Sequence, residues 1–273
     1  MARRRLDAEL VRRGLVATQT QARSAVRDGL VTVSGRPADN PSTLVDLAEP
    51  VELTSEDRPF VSRGGGKLDA ALERFGIEVS GRRALDAGAS TGGFTDVLLR
   101  RGAANVVAVD VAYGQLAWSL RNDPRVTVLE RTNVRDLTPE ALPFEPDLVV
   151  ADLSFVSLRG VVPTLNALAA RGADFVLLVK PQFEVARDRV GSGGVVRDPA
   201  AWRDAIEGVA EAATRAGMTP LAVMASPVRG PAGNLEFPLH AREGAHPAAF
   251  DPAEAIAEVG RPGAVDPAPG ARA

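Results

Sequence analysis

The chain has 273 residues, of which 45% are hydrophobic and 25% charged, and its formal net charge is −3. Such proportions are typical of a soluble globular protein with one large domain or two smaller ones. Cysteine is absent and histidine occurs only as His240 and His246, which excludes disulfides and thiolate nucleophiles and leads us to expect no metal site. No run of 18 apolar residues exists and the arginine-rich start lacks an apolar leader core, so we expect a cytoplasmic protein without a membrane span.

The first 58 residues predict a small α+β domain. Residues 3–14 and 18–29 have the apolar spacing of two short helices, and Gly29 would end the second. The alternating segment “LVTVSGRPA” then turns at Ser34 and Gly35, which is typical of a hairpin. The segment “VELTS” would supply the closing strand of the same small sheet.

Positive charge is concentrated in this domain, because the first 36 residues contain eight arginines and only three carboxylates. Such a cluster indicates contact with a polyanion, although a solvated helix face would have the same composition. If the partner is RNA, the side chains that we expect to contact phosphates are Arg4, Arg5, Arg23 and Arg27.

The segment 59–66 contains Pro59 and three consecutive glycines and is predicted to be an interdomain linker. From 67 to 250, apolar strand segments alternate with helical ones such as “TGGFTDVLLRRG” and “YGQLAWSLRN”. This pattern predicts an α/β, Rossmann-like domain whose mostly parallel sheet has helices on both faces. The strand segments are “RRALDAGAS”, “NVVAVDVAY”, “DLVVADLSF”, “DFVLLVKPQ”, “MTPLAVMASPV” and “NLEFPLHA”.

Two features near the end of the chain carry further predictions. Pro238 lies inside “NLEFPLHA” and predicts that this strand is an edge strand or ends early. Residues 251–273 are rich in proline, alanine and glycine and are predicted to form a flexible tail.

The segment “ALDAGASTGGFTDVLL” (84–99) combines a strand, a glycine-rich turn and a helix. Glycines there let a ligand approach the backbone, and Asp110 ends the next strand, where it is suitably placed to hold ribose hydroxyls. The turn lacks the GxGxxG spacing of dinucleotide sites and the chain lacks a GK[ST] phosphate loop, so we favour S-adenosylmethionine as the cofactor. The residues predicted to bind it are Asp86, Gly88, Ser90, Thr91, Gly92, Gly93, Phe94, Asp110, Asn133 and Asp136.

Lysine occurs only as Lys67 and Lys180, and arginine supplies the other positive side chains. Lysine can lose its proton when desolvated and arginine cannot, so a site that needs a proton acceptor would retain lysine. Asp152 and Lys180 each end a strand and Glu236 lies in “NLEFPL”, so these residues and Lys67 could converge beyond the sheet. Three of the four have an ordinary alternative role: Asp152 as a helix N-cap, Lys180 as a surface lysine and Glu236 as an edge charge.

Several long segments resemble the TlyA (haemolysin A) family of ribosomal RNA methyltransferases, namely “LDAGASTGGFTDVLL”, “YGQLAWSLRNDPRV”, “LERTN”, “DLVVADLSF” and “VKPQFE”. The resemblance extends from “RRRLDAELVRRGL” to “GNLEF”. It implies an N-terminal RNA-binding domain like that of ribosomal protein S-four, followed by a domain like the FtsJ-type 2′-O-methyltransferases. The lysine–aspartate–lysine–glutamate tetrad of those enzymes matches Lys67, Asp152, Lys180 and Glu236.

The resemblance implies transfer of a methyl group from S-adenosylmethionine to the cytidine 2′-hydroxyl of large-subunit ribosomal RNA. The extended first helix and long C-terminal end resemble the subgroup that also modifies the small subunit and thereby creates sensitivity to capreomycin-type antibiotics. We assign Lys180 to activation of the hydroxyl and Asp152 to orienting Lys180 and holding its charge state. Lys67 and Glu236 would position the ribose and complete the charge balance. The partner would be ribosomal RNA or a ribosomal subunit, and a monomer is favoured. The alternatives are a pore-forming haemolysin, a non-catalytic RNA-binding protein and a small-molecule methyltransferase.

Overall fold

The computed structural model describes residues 3–16, 18–27, 30–53, 60–245 and 250–259. The chain divides into two compact units, Met1–Arg63 and Gly64–Ala273. His246, Pro59 and the end of the predicted tail lie outside the described residues. No helix within the described ranges is long and apolar enough to cross a membrane.

The described residues of the first unit form two helices and five short strands. Its elements are β1 (Arg3–Arg5), α1 (Leu6–Arg12), α2 (Gln19–Arg27), β2 (Val31–Val33), β3 (Arg36–Pro37), β4 (Leu44–Asp46) and β5 (Val51–Leu53). The predicted hairpin is present, because β2 pairs antiparallel with β3 and also with β5. The first three described residues form a strand against β4 rather than the start of the predicted helix, which begins at Leu6.

The core of this unit is small and lies between the two helices and the strands. Leu6, Leu10, Ala22 and Val31 are fully buried in it. These residues are apolar positions of the two predicted helices and of the predicted strand. Their burial determines which faces of α1 and α2 point inward.

The second unit contains a seven-stranded sheet. Its strands are β6 (Arg83–Ala87), β7 (Asn105–Asp110), β8 (Val126–Glu130), β9 (Leu148–Ala151), β10 (Asp174–Val179), β11 (Met218–Val223) and β12 (Phe237–Glu243). Their spatial order is β11-β12-β10-β9-β6-β7-β8. The pairs among β6, β7, β8, β9 and β10 are parallel, whereas β12 is antiparallel to both of its neighbours. The predicted mostly parallel α/β architecture is confirmed.

Helices cover both faces of this sheet. They are α3 (Gly64–Phe75), α4 (Gly93–Arg100), α5 (Trp118–Arg121), α6 (Val162–Leu168), α7 (Pro181–Glu184), α8 (Pro199–Arg215) and α9 (Ala253–Glu258). Leu85, Val107 and Phe175 pack in one cluster with residues of α6 and α8. Their strand neighbours Ala84 and Val106 point to the opposite face and are also fully buried, which is the double coverage that continuous apolar strands predict.

Three element boundaries differ from the predictions. The glycines at 64–66 form the first turn of α3 instead of belonging to a linker that extends to residue 66. The segment “YGQLAWSLRN” contributes only one helical turn, because Gly114 has a φ of +70° and Ala117 is extended. The stretch predicted as a tail contains α9, in which Ala255 is buried.

Pro238 lies in an interior strand, so the edge-strand prediction is wrong. Its carbonyl oxygen accepts a hydrogen bond from the backbone N–H of Met224, one residue after β11 ends. The N–H and C=O of a strand residue point to the same side, so the missing donor of Pro238 faces the end of β11 and not β10. An interior strand tolerates proline there because no regular ladder bond is lost.

Candidate active site

The site lies at the edge of the sheet where the parallel strands end. The chain runs outward through β6, β7 and β8 and then returns to β9 on the other side of β6. Ligands of open α/β sheets bind at such a reversal of strand order, beyond the carboxyl ends. Apart from Lys67, which lies in α3, the predicted catalytic and cofactor residues divide between two groups of strand ends. One group lies at or after the ends of β6, β7 and β8, and the other follows β9 and β10 or precedes β12.

Lys180 follows β10 and contacts two side chains from the loop after β9. Its Nζ lies 2.6 Å from Oδ1 of Asp152 and donates a hydrogen bond of 2.8 Å to Oγ of Ser154. Only 9% of the Lys180 side chain is exposed, so the amine faces these partners and not bulk water. Pro181 begins α7 directly after Lys180, so the strand ends there and fixes the position of the lysine.

Lys67 and Glu236 form a second buried pair. Lys67, in the first turn of α3, donates a hydrogen bond of 2.5 Å from Nζ to Oε2 of Glu236. Glu236 lies just before β12 rather than inside a strand as predicted. Because Phe237 pairs with Val179 in antiparallel register, Glu236 emerges at the same edge as Lys180. The other oxygen of Glu236 packs on Gly230, where an added Cβ would lie only 2.5 Å from Oε1.

The two pairs form one electrostatic cluster. Burial raises the pKa of Asp152, but the charges of Lys180 and then Lys67 outweigh it and hold this pKa below its ordinary value. Both lysines therefore act on the same carboxylate. The structure thus brings together all four charged residues that the sequence singled out, and each side chain faces an opposite charge.

Gly88, the first residue after β6, packs against the loop that carries Asp152. Its φ is +89°, and a Cβ at this position would lie 2.5 Å from the carbonyl oxygen of Asp152. The glycine-rich turn then continues through Ser90, whose backbone N–H donates to Oδ2 of Asp110 over 2.8 Å. The other oxygen of Asp110 accepts from the N–H of Ala112. Asp110 thereby connects the turn after β6 to the loop after β7.

Other members of the predicted cofactor set are more deeply placed. Asp86 is fully buried and accepts a hydrogen bond of 2.6 Å from Oγ1 of Thr95, whereas its Oδ1 has no partner among the described residues. Burial is the main reason that the pKa of Asp86 is raised to about 7, and the charges of Asp152 and Asp110 add to it. Phe94 lies in the first turn of α4 and is only 4% exposed.

The remaining predicted cofactor residues have backbone or exposed roles in the structure. Gly92 has a φ of +100° and directly precedes α4, whose first residue is Gly93. The carbonyl oxygen of Thr91 accepts a hydrogen bond from the backbone N–H of Ala117. Asn133 follows β8, and its side-chain oxygen accepts from the N–H of Arg135. Asp136 is exposed at the end of the same short turn.

Two contacts at this site involve residues that sequence reasoning missed. Glu184, at the end of α7, accepts hydrogen bonds from Ser157 Oγ at 2.6 Å and from the N–H of Leu158 at 2.7 Å. It therefore joins the segment after Lys180 to the segment after Asp152. The Phe155 side chain is 91% exposed at a φ of +65°, and its ring lies 5.3 Å from that of Phe183. An exposed aromatic residue held at an unfavourable φ is typical of a ligand-binding surface, and Phe155 has both properties.

The four predicted phosphate contacts in the first unit differ in their surroundings. Arg5 and Arg23 both bind the buried carboxylate of Asp7, at 2.9 and 3.0 Å. Arg4 lies 3.9 Å from the buried Glu9. The side chain of Arg27 is exposed and makes no ion pair with the described part of the chain. Two buried acids thus hold part of an arginine-rich surface in place.

Comparisons with known proteins agree with this arrangement of elements. Residues 60–243 match the model of the FtsJ-like methyltransferase family, and residues 4–51 match the S4 domain. The chain is 58% identical over 239 residues to the Mycobacterium tuberculosis protein named 16S/23S rRNA (cytidine-2′-O)-methyltransferase TlyA, covering 87% of this chain and 89% of that protein.

Two further relatives extend the comparison. Hemolysin A of Brachyspira hyodysenteriae is 34% identical over 237 residues, covering 86% of this chain and 98% of that protein. A solved structure of a Streptococcus thermophilus protein is 37% identical with a TM-score of 0.74, covering 94% of this chain and 96% of that one. The matched family model covers the whole edge that carries the two lysine–carboxylate pairs, and the relatives match nearly end to end. The chain therefore belongs to the TlyA family of FtsJ-like methyltransferases.

Proposed function

We propose that this protein transfers a methyl group from S-adenosylmethionine to the 2′-hydroxyl of cytidine in ribosomal RNA, of the large subunit and also of the small one. The observation that carries the proposal is the convergence of Lys67–Glu236 and Lys180–Asp152 at one sheet edge. The name of the M. tuberculosis relative supports the substrate, and the matched S4 domain supports an RNA partner.

The edge formed by β6, β7 and β8 fits the cofactor. Asp86 offers a buried oxygen without a partner among the described residues, and Asp110 offers a partly exposed carboxylate next to the glycine-rich turn. S-adenosylmethionine carries a positive sulfonium, a positive amine and ribose hydroxyls, which suit these acceptors. We assign its binding to the turn from Gly88 to Phe94 with Asp86, Asp110, Asn133 and Asp136. The cofactor supplies an electrophilic methyl group when bound.

The edge formed by β9, β10 and β12 would hold the ribose. A 2′-hydroxyl is a weak nucleophile, and its attack is assisted when a neighbouring amine takes the proton. We assign this role to Lys180, since Asp152 and Ser154 hold its Nζ and Asp152 stabilises the ammonium that forms. Lys67 and Glu236 would bind the ribose hydroxyls and orient the attacking oxygen, and such orientation supplies a large part of the rate.

The surface next to Lys180 supports a nucleoside as the acceptor. The Nζ of Lys180 lies 6.0 Å from the centroid of the Phe183 ring, which in turn contacts the exposed ring of Phe155. Unstacked bases bind to exposed aromatic rings, whatever their sequence. A cytidine with its ribose at the lysine–carboxylate cluster could place its base against this pair of rings.

The proposal is tested by methyl mapping. Purified protein with labelled S-adenosylmethionine is incubated separately with large subunits, small subunits and the naked RNA of each, all from a strain that lacks the gene. We expect label on cytidine 2′-oxygens in both subunits. Label on a base, label on no RNA, or label on a small molecule alone would each contradict the proposal, and label on one subunit only would contradict its dual-target part.

The role of the first unit is tested through the salt dependence of binding. Each lost phosphate contact reduces the magnitude of the slope of log affinity against log salt by about 0.7 for a single strand and about 0.9 for a B-form duplex, so a change on the order of 0.7–0.9 is expected for RNA. We expect Arg27→Gln to weaken binding and reduce this slope by that amount. An unchanged slope would exclude Arg27 as a phosphate contact.

A further inference from the structure

A cavity in the second unit is lined by residues to which the proposed reaction assigns no role. Its volume is about 340 Å³, within the range that holds a small ligand. The apolar part of its wall is formed by Val196, Trp202 and Leu235, and the end of α9 contributes Val259. Two guanidinium groups, of Arg197 and Arg229, line the same cavity.

The cavity is held open by hydrogen bonds between its walls. Asn234 is 2% exposed, and its Oδ1 accepts from the N–H of Val196 at 2.9 Å while its Nδ2 donates to the carbonyl of Gly194 at 2.8 Å. The indole N–H of Trp202 donates to the carbonyl of Val196 at 3.0 Å. One buried amide thus connects the loop before α8 to the loop before β12, so the cavity does not depend on a ligand for its shape.

The charges around the cavity favour an anion. Arg197 is exposed, and its guanidinium makes no hydrogen bond or ion pair with any described side chain or backbone group. Arg229 donates to the carbonyl of Gly233 at 3.1 Å, which keeps its guanidinium at the cavity wall. The nearest carboxylate in sequence, Asp198, is engaged by Arg189 at 3.2 Å and by the N–H of Ala200.

The loop that forms one wall also carries Glu236. Gly230 packs on Oε1 of Glu236, the N–H of Gly230 bonds to the carbonyl of Asn234, and Leu235 lines the cavity directly before Glu236. A ligand in the cavity would therefore contact the same short loop that positions one member of the charged cluster.

We propose that this cavity binds a nucleotide of the RNA strand next to the nucleotide that is methylated. The phosphate lies between the guanidiniums of Arg197 and Arg229, which suit phosphate geometry, and the base packs on the apolar wall. This assignment rests on the proposed function, and it adds a second RNA contact outside the S4 domain.

Trp202 provides a direct test, because the chain has only two tryptophans and Trp202 lines the cavity. In a Trp118→Phe background, where Trp202 is the only indole, we titrate a five-residue oligocytidylate and follow tryptophan fluorescence. We expect a saturable change. We expect Arg197→Gln to weaken the oligonucleotide by about tenfold, the scale of one charge-assisted hydrogen bond. Ala232→Phe, which fills the cavity from an exposed position on its wall, should do the same with the charge intact.

Arg215→Gln is the matched control, since Arg215 lies at the far end of α8 and its side chain is 68% exposed. It should leave the titration unchanged. Identical curves for the parent, Arg197→Gln and Ala232→Phe would overturn the proposal. Equal binding of hexaglutamate would also overturn it, because it would assign the cavity to an acidic protein segment.

Methylation of ribosomal RNA is measured with the same variants. We expect a higher KM for RNA in Arg197→Gln and an unchanged kcat, since the charged cluster is intact. A fluorescence response without any methylation by the parent protein would refute the proposed function but leave the cavity as an RNA site. Methylation with an unchanged KM in both cavity variants would refute the cavity assignment alone.

Discussion

A Cβ atom at Gly88 would lie 2.5 Å from the backbone carbonyl oxygen of Asp152. The glycine-rich turn after β6, which we propose binds the cofactor, and the loop with the proposed catalytic aspartate are therefore in direct backbone contact at the point where the strand order reverses. The N–H of Asp152 also donates to the carbonyl of Ala87 at 3.0 Å. The two halves of the site are thus fixed relative to each other by backbone contacts, independently of any ligand.

Gly88→Ala should accordingly damage both the fold and the site. The new methyl group meets backbone that cannot rotate away, and the φ of +89° is itself unfavourable for alanine. Gly81→Ala is the matched control, because Gly81 has a φ of +75° but open space around its Cβ position. We expect Gly81→Ala to reduce the free energy of unfolding by about 1 kcal/mol and Gly88→Ala by clearly more. Equal losses in urea denaturation would contradict the contact.

Asp86→Asn should change how stability depends on pH. The pKa of Asp86 is raised to about 7 from 3.8, so the folded protein binds its proton more tightly than the unfolded chain does. Protonation of Asp86 therefore favours the folded state most at low pH, and this contribution to stability falls as pH rises from about 4 to about 7. We expect the variant to gain stability relative to the parent protein over that range.

The measurement for Asp86 is chemical denaturation at pH 5, 6, 7 and 8. Asp123→Asn provides a contrast, because Arg125 holds the pKa of Asp123 below its usual value and its contribution is constant above pH 5. A stability difference between Asp86→Asn and the parent that stays constant over this range would contradict the raised pKa.

Glu9→Gln tests whether the buried carboxylate of Glu9, which holds arginine side chains of the first unit in place, stabilises α1. Glu9 is fully buried and accepts hydrogen bonds from Arg12 at 2.8 and 2.5 Å and from Arg13 at 2.7 Å. These contacts lower its pKa to about 2, although burial opposes them. Its stabilising contribution is therefore complete above pH 4.5 and is lost as pH falls through about 2.

We expect Glu9→Gln to increase hydrogen exchange of the α1 amides at pH 7, and the difference from the parent protein to shrink toward pH 2. Intrinsic exchange rates are measured at each pH on an unstructured peptide, and protection is the ratio of this rate to the rate observed in the protein. Protection in α1 that is equal for variant and parent at pH 7 would show that the buried ion pairs do not stabilise the helix.

Sequence patterns predicted six of the seven strands and a mostly parallel sheet, because apolar periodicity is a local property, but they did not predict the spatial order of the strands. They also marked Asp152 and Lys180 as strand ends, and the structure places these side chains 2.6 Å apart. Patterns could not identify Ser154 or Glu184 as partners, since each acts on a segment more than 20 residues away. The edge-strand prediction from Pro238 was wrong for a related reason. The free-energy cost of a missing backbone N–H depends on which neighbouring strand that N–H would face, and this is not visible in the sequence.

The two lysines of the chain should respond differently to replacement by arginine. Lys180→Arg keeps the charge beside Asp152 but removes the amine that can accept a proton, because arginine stays protonated in proteins. Loss of a general base lowers kcat by about 10²–10⁴-fold. Lys67→Arg keeps the charge opposite Glu236, and its proposed role is positioning, so we expect a smaller loss that includes a higher KM for RNA.

Single-turnover methylation and calorimetric binding of S-adenosylmethionine, measured on both variants, separate these roles. Binding should be retained in each, which shows that the fold and the cofactor edge are intact. If Lys180→Arg methylates at the parent rate, the amine is not the base, and Lys180 then acts as a fixed positive charge. If Lys67→Arg is the more damaged variant, the roles assigned to the two pairs are reversed.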